Sequence, residues 1–294
     1  MTKVSLQAPA KINLTLEVLG KRPDGYHEIR SVMQTIALAD RVTLTPADEI
    51  SLALRGAAGP LAEEPPATNL AFRAAQLLRR RAGTHSGAQI ELHKNIPIAT
   101  GLGGGSSDAA ATLRGLRELW QLDITDEEFS AIAAELGTDV PFFLRGGTAL
   151  AAGRGDKIET LPQMPSGPLF IAWPRAPRSG DKTTRMYAAL RQEHYTDGTR
   201  TRALADRLQA GEPVRNGDVY NVFETILPEV DPAAAKLFER AAPLGFGQPH
   251  LCGSGPAFFL LLEPEQPARP LLDALERLDV RAAETRTLSA PEAG

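Results

Sequence analysis

Between residues 97 and 108 the chain reads Pro-Ile-Ala-Thr-Gly-Leu-Gly-Gly-Gly-Ser-Ser-Asp, and no other stretch constrains the fold as tightly. Four glycines and three hydroxyls sit between an extended pattern at residues 88–93 and a helical pattern carried by Ala109, Ala110, Leu113, Leu116 and Trp120. Glycine lets backbone N–H groups turn toward one point with no Cβ in the way. A helix starting directly behind adds unpaired donors and the positive end of its dipole. Strand, glycine turn and helix in that order form an anion site suited to phosphate. The common phosphate-loop patterns do not fit. No lysine follows Gly105, Ser106 stands where a dinucleotide loop needs its third glycine, and a helix rather than a strand comes next.

The chain of 294 residues, 43% of them hydrophobic, is long enough to bury a large core and favours two domains. A net charge of −4 argues against an extended nucleic-acid surface. The cluster Arg79-Arg80-Arg81 closes a helical pattern, where cations suit the dipole and face water. A single cysteine, Cys252, excludes an internal disulfide, and neither it nor the five histidines has metal-ligand spacing. The apolar runs are too short to span a bilayer, and no apolar leader follows Met1. The expectation is a cytoplasmic protein with no membrane and no nucleic-acid partner. No coiled-coil pattern decides between monomer and homodimer.

Along the chain, Ile12, Leu14, Leu16 and Val18 alternate with Lys11, Asn13, Thr15 and Glu17, which predicts a strand over 8–18 with one buried face. Pro23-Asp24-Gly25 is a turn, and residues 32–44 read as further strand. Thr68 or Asn69 can cap a helix ending before Gly83, and Thr125 with Glu128 forms a capping box for a helix stopped by Gly137. A hairpin follows Gly146-Gly147. Residues 162–167 are the best linker, and residues 183–210 read as helical. Residues 251–256 form a second glycine turn, with a strand over 257–263 after it and another over 281–288. Helices and hairpins alternate irregularly, so the expected class is α+β in two domains, not a doubly wound parallel sheet.

Asp139 follows a glycine-terminated helix and precedes Val140, Pro141, Phe142 and Phe143. A carboxylate there is partly desolvated and needs a cation or donor nearby; it can equally cap the helix behind it. Lys11 and Asn13 share one face of the first strand. Tyr26-His27 offers a flat ring and a two-sided hydrogen-bonding ring, a platform for a base or sugar.

Three blocks resemble the motifs of the GHMP small-molecule kinase superfamily: residues 8–14 (Ala-Pro-Ala-Lys-Ile-Asn-Leu), 97–107 and 252–256 (Cys-Gly-Ser-Gly-Pro). Two narrower features, Arg22-Pro23-Asp24-Gly25-Tyr26-His27-Glu28 and Gly137-Thr138-Asp139-Val140-Pro141-Phe142-Phe143, are similar to the branch that phosphorylates an alcohol carried on cytidine diphosphate. The resemblance implies an α+β GHMP-kinase-like fold. Residues 1–160 would form a ribosomal-protein-S5-like domain and 161–294 a ferredoxin-like domain, with the active site in the cleft between them. It implies ATP with Mg2+ and phosphorylation of the erythritol 2-hydroxyl in isoprenoid precursor synthesis. Asp139 would be the base and Lys11 its partner. Pro97, Ile98, Ala99, Thr100, Gly101, Leu102, Gly103, Gly104, Gly105, Ser106 and Ser107 would hold the triphosphate, and Asn69, Leu70 and Lys94 the adenosine. Asn13, Tyr26, His27, Asp139, Thr183 and Tyr187 would hold the cytidine substrate. Ser106 or Ser107 is a candidate magnesium ligand. Asn221-Val222-Phe223-Glu224 departs from the family's Asn-Asp-Leu-Glu at Val222. A kinase for homoserine or mevalonate lacks a use for Tyr26-His27, and a pure binding protein lacks one for Lys11 with Asp139.

Overall fold

The strand expected over 8–18 is two strands, β1 (Val4–Asn13) and β2 (Thr15–Lys21), broken at Leu14, whose N–H donates to the Val32 carbonyl. Both of its faces are covered. Ile12, Leu14 and Val18 are fully buried as expected, but Lys11, Asn13, Thr15 and Glu17 are buried as well. Polar atoms at such positions need partners, and they have them: Asn13 donates to Ser31 Oγ at 2.8 Å, and Glu17 accepts from the Thr201 N–H at 2.8 Å. Alternation predicted the pleat correctly and the solvation of its second face wrongly.

The computed structural model describes residues 3–175, 181–244, 247–262 and 268–290. Within it the chain forms two compact units, neither a continuous run. The first comprises residues 1–10, 38–98 and 103–145; the second comprises 11–37, 99–102 and 146–294. Strand β1 and the long strand β3 (His27–Ala47) contribute residues to both.

In the first unit, β5 (Gly87–Lys94) lies between β4 (Ser51–Gly56), which runs parallel to it, and the end of β3, which runs antiparallel. Helices α1 (Leu70–Ala82), α2 (Gly104–Leu119), α3 (Asp126–Leu136) and α4 (Val140–Arg145) pack together, α1 against α2 most extensively. Their shared faces are alanine-rich: Ala71, Ala74 and Ala75 on α1, Ala109 and Ala110 on α2, all buried. Small side chains let helix axes approach closely. Gly115 does the same against the sheet, where a Cβ would meet Leu44 Cδ1 at 2.5 Å. Asn69 caps α1 by accepting from the Ala71 N–H at 2.9 Å, and Gly83 ends it in the left-handed region. The capping box of Thr125 and Glu128 starts α3 as expected.

In the second unit, the start of β3 pairs with β2 and with β6 (Thr148–Gly153), and β6 forms the expected hairpin with β7 (Lys157–Thr160). The coil at 162–167 has this unit on both sides. Beyond it lies an antiparallel four-stranded sheet in the order β10–β11–β8–β12, built from β8 (Pro168–Pro174), β10 (His250–Leu251), β11 (Phe258–Leu261) and β12 (Val280–Arg286). The stretch expected to be helical over 183–210 divides into α5 (Lys182–Ala189), which ends where Leu190 turns extended at ψ 132°, and α6 (Thr199–Gln209), which begins after Gly198 at φ 79°. The helices α7 (Phe223–Val230), α8 (Pro232–Ala241) and α9 (Ala268–Glu276) follow, and β9 (Tyr220–Asn221) pairs parallel with β2. The strand expected over 257–263 is β11, and its last position lies outside the described residues. Among the described residues no helix is long and apolar enough to cross a membrane. The architecture is α+β with mixed ladders, as the irregular alternation predicted.

Candidate functional site

The glycine run leaves β5 at Lys94 and enters α2 at Gly104, with Gly103 in the left-handed region at φ 74°. The first intrahelical bond is Ser107 N–H to the Gly103 carbonyl at 3.0 Å, so the N–H groups of Gly104, Gly105 and Ser106 have no partner within their own helix. Ser107 Oγ is buried without a hydrogen-bond partner. Ser106 Oγ lies 3.9 Å from where a Gly137 Cβ would stand, so the start of α2 adjoins the α3–α4 turn that carries Asp139. Asp139 immediately precedes α4, and its carbonyl accepts from the Phe143 N–H.

Residues 99–102 belong with the second unit, and there three separated sequence blocks meet. The Thr100 carbonyl accepts from the Ala257 N–H at 3.2 Å, and the Leu102 carbonyl accepts from the Lys11 N–H at 3.0 Å. A Cβ on Gly101 would stand 1.8 Å from the Cys252 carbonyl oxygen; only glycine fits where the loop crosses the second glycine turn. Lys11 Nζ donates to Asn13 Oδ1 at 2.7 Å, and both side-chain ends lie beside Gly253, 3.2 and 3.5 Å from where its Cβ would be. Lys11 is only 5% exposed. Ala99 takes φ 56°, a left-handed conformation that an alanine adopts under tertiary constraint.

Asn221 supports the second turn from below, donating to the carbonyls of Leu251 at 3.1 Å and Gly253 at 2.8 Å. Glu224 accepts from the Leu251 N–H at 2.9 Å. Val222, the departure from the family pattern, is fully buried in an apolar cluster with Leu16, Val18 and Met186. Thr183 Oγ1 and Ser254 Oγ share a hydrogen bond of 2.8 Å that ties α5 to the same turn.

His27 stacks on Tyr187 with centroids 5.1 Å apart, and Tyr187 meets Phe223 edge-on at 4.9 Å. Burial, with a contribution from the Lys21 charge, holds the His27 imidazole below its ordinary pKa. It is therefore neutral near pH 7, one ring nitrogen donating and the other accepting. Tyr26 is 53% exposed, and the Arg154 guanidinium lies 5.1 Å from its ring centroid.

In the first unit, Leu52, Leu54, Leu61, Glu64, Thr68 and Asn69 help line a hollow of about 240 Å³. Lys94 is buried, and its ammonium pairs with Asp40 and, at 2.5 Å, with Asp108. Burial works against the Lys94 charge, but Asp108 and Asp40 outweigh it and keep the ammonium protonated. Burial, opposed by Lys94 and assisted by Asp40, pushes the Asp108 carboxyl up to about 8. Burial also raises the Cys252 thiol and leaves it inert.

Residues 69–147 match the family model for the GHMP kinases N terminal domain. The 4-diphosphocytidyl-2-C-methyl-D-erythritol kinase of Pelotomaculum thermopropionicum is 39% identical over 289 residues, covering 97% of this chain and 98% of that protein. The kinase of the same name from Exiguobacterium sibiricum is 40% identical over 284 residues, covering 92% and 93%. The chain belongs to the 4-diphosphocytidyl-2-C-methyl-D-erythritol kinase family. A crystal structure of a 4-(cytidine 5'-diphospho)-2C-methyl-D-erythritol kinase superposes with TM-score 0.78 at 35% identity, covering 97% of this chain and 99% of that one. Homoserine kinase from Cytophaga hutchinsonii superposes at 0.73 with 15% identity, which extends the shared fold beyond this kinase family.

In this kinase family member, sequence reasoning singled out the crossing of Lys11, Asn13, Gly101 and Gly253 as separate motifs, and the second unit brings them together. Three groups escaped it. Asp40 is the single carboxylate of residues 32–44, the stretch that reads as strand, a signal that periodicity discards. Arg154 over Tyr26 and Ser254 on Thr183 are contacts between distant stretches with no local signature.

Proposed function

We propose that this protein transfers the γ-phosphoryl group of ATP to the 2-hydroxyl of 4-diphosphocytidyl-2-C-methyl-D-erythritol. The observation that carries the reading is the meeting of the Lys11–Asn13 pair, the Thr100–Leu102 segment and the Cys252–Gly255 turn, since three remote blocks converge on one polar, glycine-lined spot. Residues 97–107 would receive the triphosphate on backbone N–H groups and the α2 dipole. Asn69, Leu70 and Lys94 would line the adenosine, and the hollow that Asn69 lines supports that role for Asn69. We assign the nucleotide to residues 1–160 and part of acceptor recognition to 161–294.

Magnesium bound with ATP neutralises charge on the phosphoryl oxygens. Among the described residues no three His, Cys, Asp or Glu stand together to hold a metal. The chain's share would be a hydroxyl of Ser106 or Ser107, and the unpartnered Ser107 Oγ fits that use.

Asp139 would accept the proton of the 2-hydroxyl, with Lys11 as its partner steadying the oxygen as charge develops. Phosphoryl transfer is usually loose, so alignment precedes proton removal in importance, and a positioned base contributes roughly 10²–10⁴-fold. Asn13, Tyr26, His27, Thr183 and Tyr187 would hold the acceptor. A neutral His27 can accept from the cytosine amino group and donate with its other nitrogen, adding discrimination to stacking. An acceptor panel tests the reading: ADP release should require the cytidine diphosphate alcohol, and equal release with homoserine or mevalonate would refute it.

A further inference from the structure

The glycine run has two stems, the end of β5 and the start of α2, and one buried ionic cluster touches both. Asp40, in β3, accepts from the N–H groups of Asn95 at 2.5 Å and Ile96 at 2.8 Å, the two residues leading into the run. The same carboxylate pairs with Lys94, the last residue of β5. Lys94 reaches across to Asp108, in the second turn of α2, at 2.5 Å. At the helix start, a Cβ on Gly104 would stand 3.1 Å from Ile96 Cγ2 and 3.6 Å from Asp40 Oδ2, so the stems are in contact there. All three ionisable side chains are at least nine-tenths buried.

A buried cluster of one ammonium and two carboxyl groups is a poor stabiliser. Desolvation costs several kcal/mol per ion and lifts the Asp108 carboxyl, and apolar residues of similar volume often do as well or better. Such a cluster is therefore best explained by the geometry it imposes. Here that geometry is the separation and angle of the two stems, and with them the direction of the N–H groups between.

We propose that Asp40 and Asp108 are positioning residues of the nucleotide site, clasping both stems of the glycine run through Lys94 so that its amides are held ready for the triphosphate. The proposal rests on residues 97–107 being the triphosphate loop. Neither carboxylate touches the nucleotide in this account. They act through Lys94, Asn95 and Ile96. Binding to a pre-set loop avoids the ordering cost that a loosened loop would incur on each encounter.

Calorimetric titration of the full-length protein tests this, with a non-hydrolysable ATP analogue as one probe and cytidine 5'-diphosphate as the other. Asp108→Leu leaves Lys94 and Asp40 as a neutral pair, so the thermal midpoint should hold or rise. The link to α2 is lost, and affinity for the ATP analogue should fall about tenfold, the scale of one charged hydrogen bond, with cytidine diphosphate affinity unchanged. Asp40→Ala should weaken the analogue at least as much, and Asp40→Asn, which keeps an acceptor for the Asn95 and Ile96 N–H groups, should recover most of that loss. A folded Asp108→Leu protein with the parent's analogue affinity overturns the proposal. So does a loss shared equally by both probes in step with a lowered midpoint, the signature of a merely structural cluster. Should the parent bind cytidine diphosphate and no ATP analogue at all, the reading of residues 97–107 fails instead.

Discussion

Replacing Gly101 by alanine gives a controlled measure of how tightly the glycine run is fitted to the second turn. Gly101 has φ 85° and Gly25 has φ 86°, so an alanine at either position meets the same backbone penalty. That penalty is about 1–2 kcal/mol for a left-handed L-residue. Their surroundings differ completely. A Cβ at Gly25 has nothing within 4 Å, whereas at Gly101 it would lie 1.8 Å from the Cys252 carbonyl oxygen and 3.1 Å from the Gly255 nitrogen. Relieving the clash means moving backbone by more than an ångström at a crossing fixed by the Thr100–Ala257 and Lys11–Leu102 bonds. Overpacking of this kind adds about 1–3 kcal/mol. Gly101→Ala should therefore cost about 2 kcal/mol more than Gly25→Ala, or about 0.7 M in urea midpoint at a slope near 3 kcal/mol per M. Both residues lie in the second unit, so one urea titration followed by tryptophan fluorescence and far-ultraviolet dichroism compares them fairly. To whatever extent the loop yields instead of the fold, the cost moves into weaker ATP binding. Equal midpoints together with equal ATP affinities for the two variants would refute the claim that loop and turn are mutually fitted.

Asp139→Asn should lower kcat by at least about 10²-fold with ATP affinity nearly unchanged, read by steady-state kinetics beside nucleotide titration; a variant keeping most of its turnover removes Asp139 from the chemistry. Because the His27 pKa is depressed in the fold, the unfolded chain binds more protons just below pH 6.5, so stability should rise with pH through that window. His27→Gln should flatten the difference in urea midpoint between pH 5 and pH 7.5, and an unchanged difference would contradict the burial argument. Asn69→Ala should cost about 1 kcal/mol through the lost α1 cap, while Asn69→Ser restores the cap. If Asn69 also lines the adenosine, the serine variant regains stability and still shows a raised ATP KM.

How much could be read in advance followed from how local each determinant is. The caps at Asn69 and Thr125, the stop at Gly83 and the hairpin after Gly147 depend on neighbours within a few residues, and the structure has each of them. The α+β class followed from hairpins interrupting helices. The second face of β1 and β2 was misread because alternation reports which residues differ, not whether the polar set is solvated. Lys11, Asn13 and Glu17 are buried by partners at Gly253, Ser31 and Thr201, all remote in sequence. The break between Leu190 and Gly198 within the helical stretch depends on backbone angles, extended at Leu190 and left-handed at Gly198, that composition alone does not supply. The site divides along the same line. Glycines and Lys11 announce themselves by motif, whereas Asp40 works through a tertiary contact with residues 95 and 96.

The most direct measurement is a single turnover with γ-labelled ATP and excess enzyme, quenched and resolved by phosphorus NMR of the acceptor. The account predicts label on the 2-hydroxyl of the cytidine diphosphate alcohol, one per ADP formed. Label recovered as free phosphate, or on the acceptor's diphosphate, would contradict it.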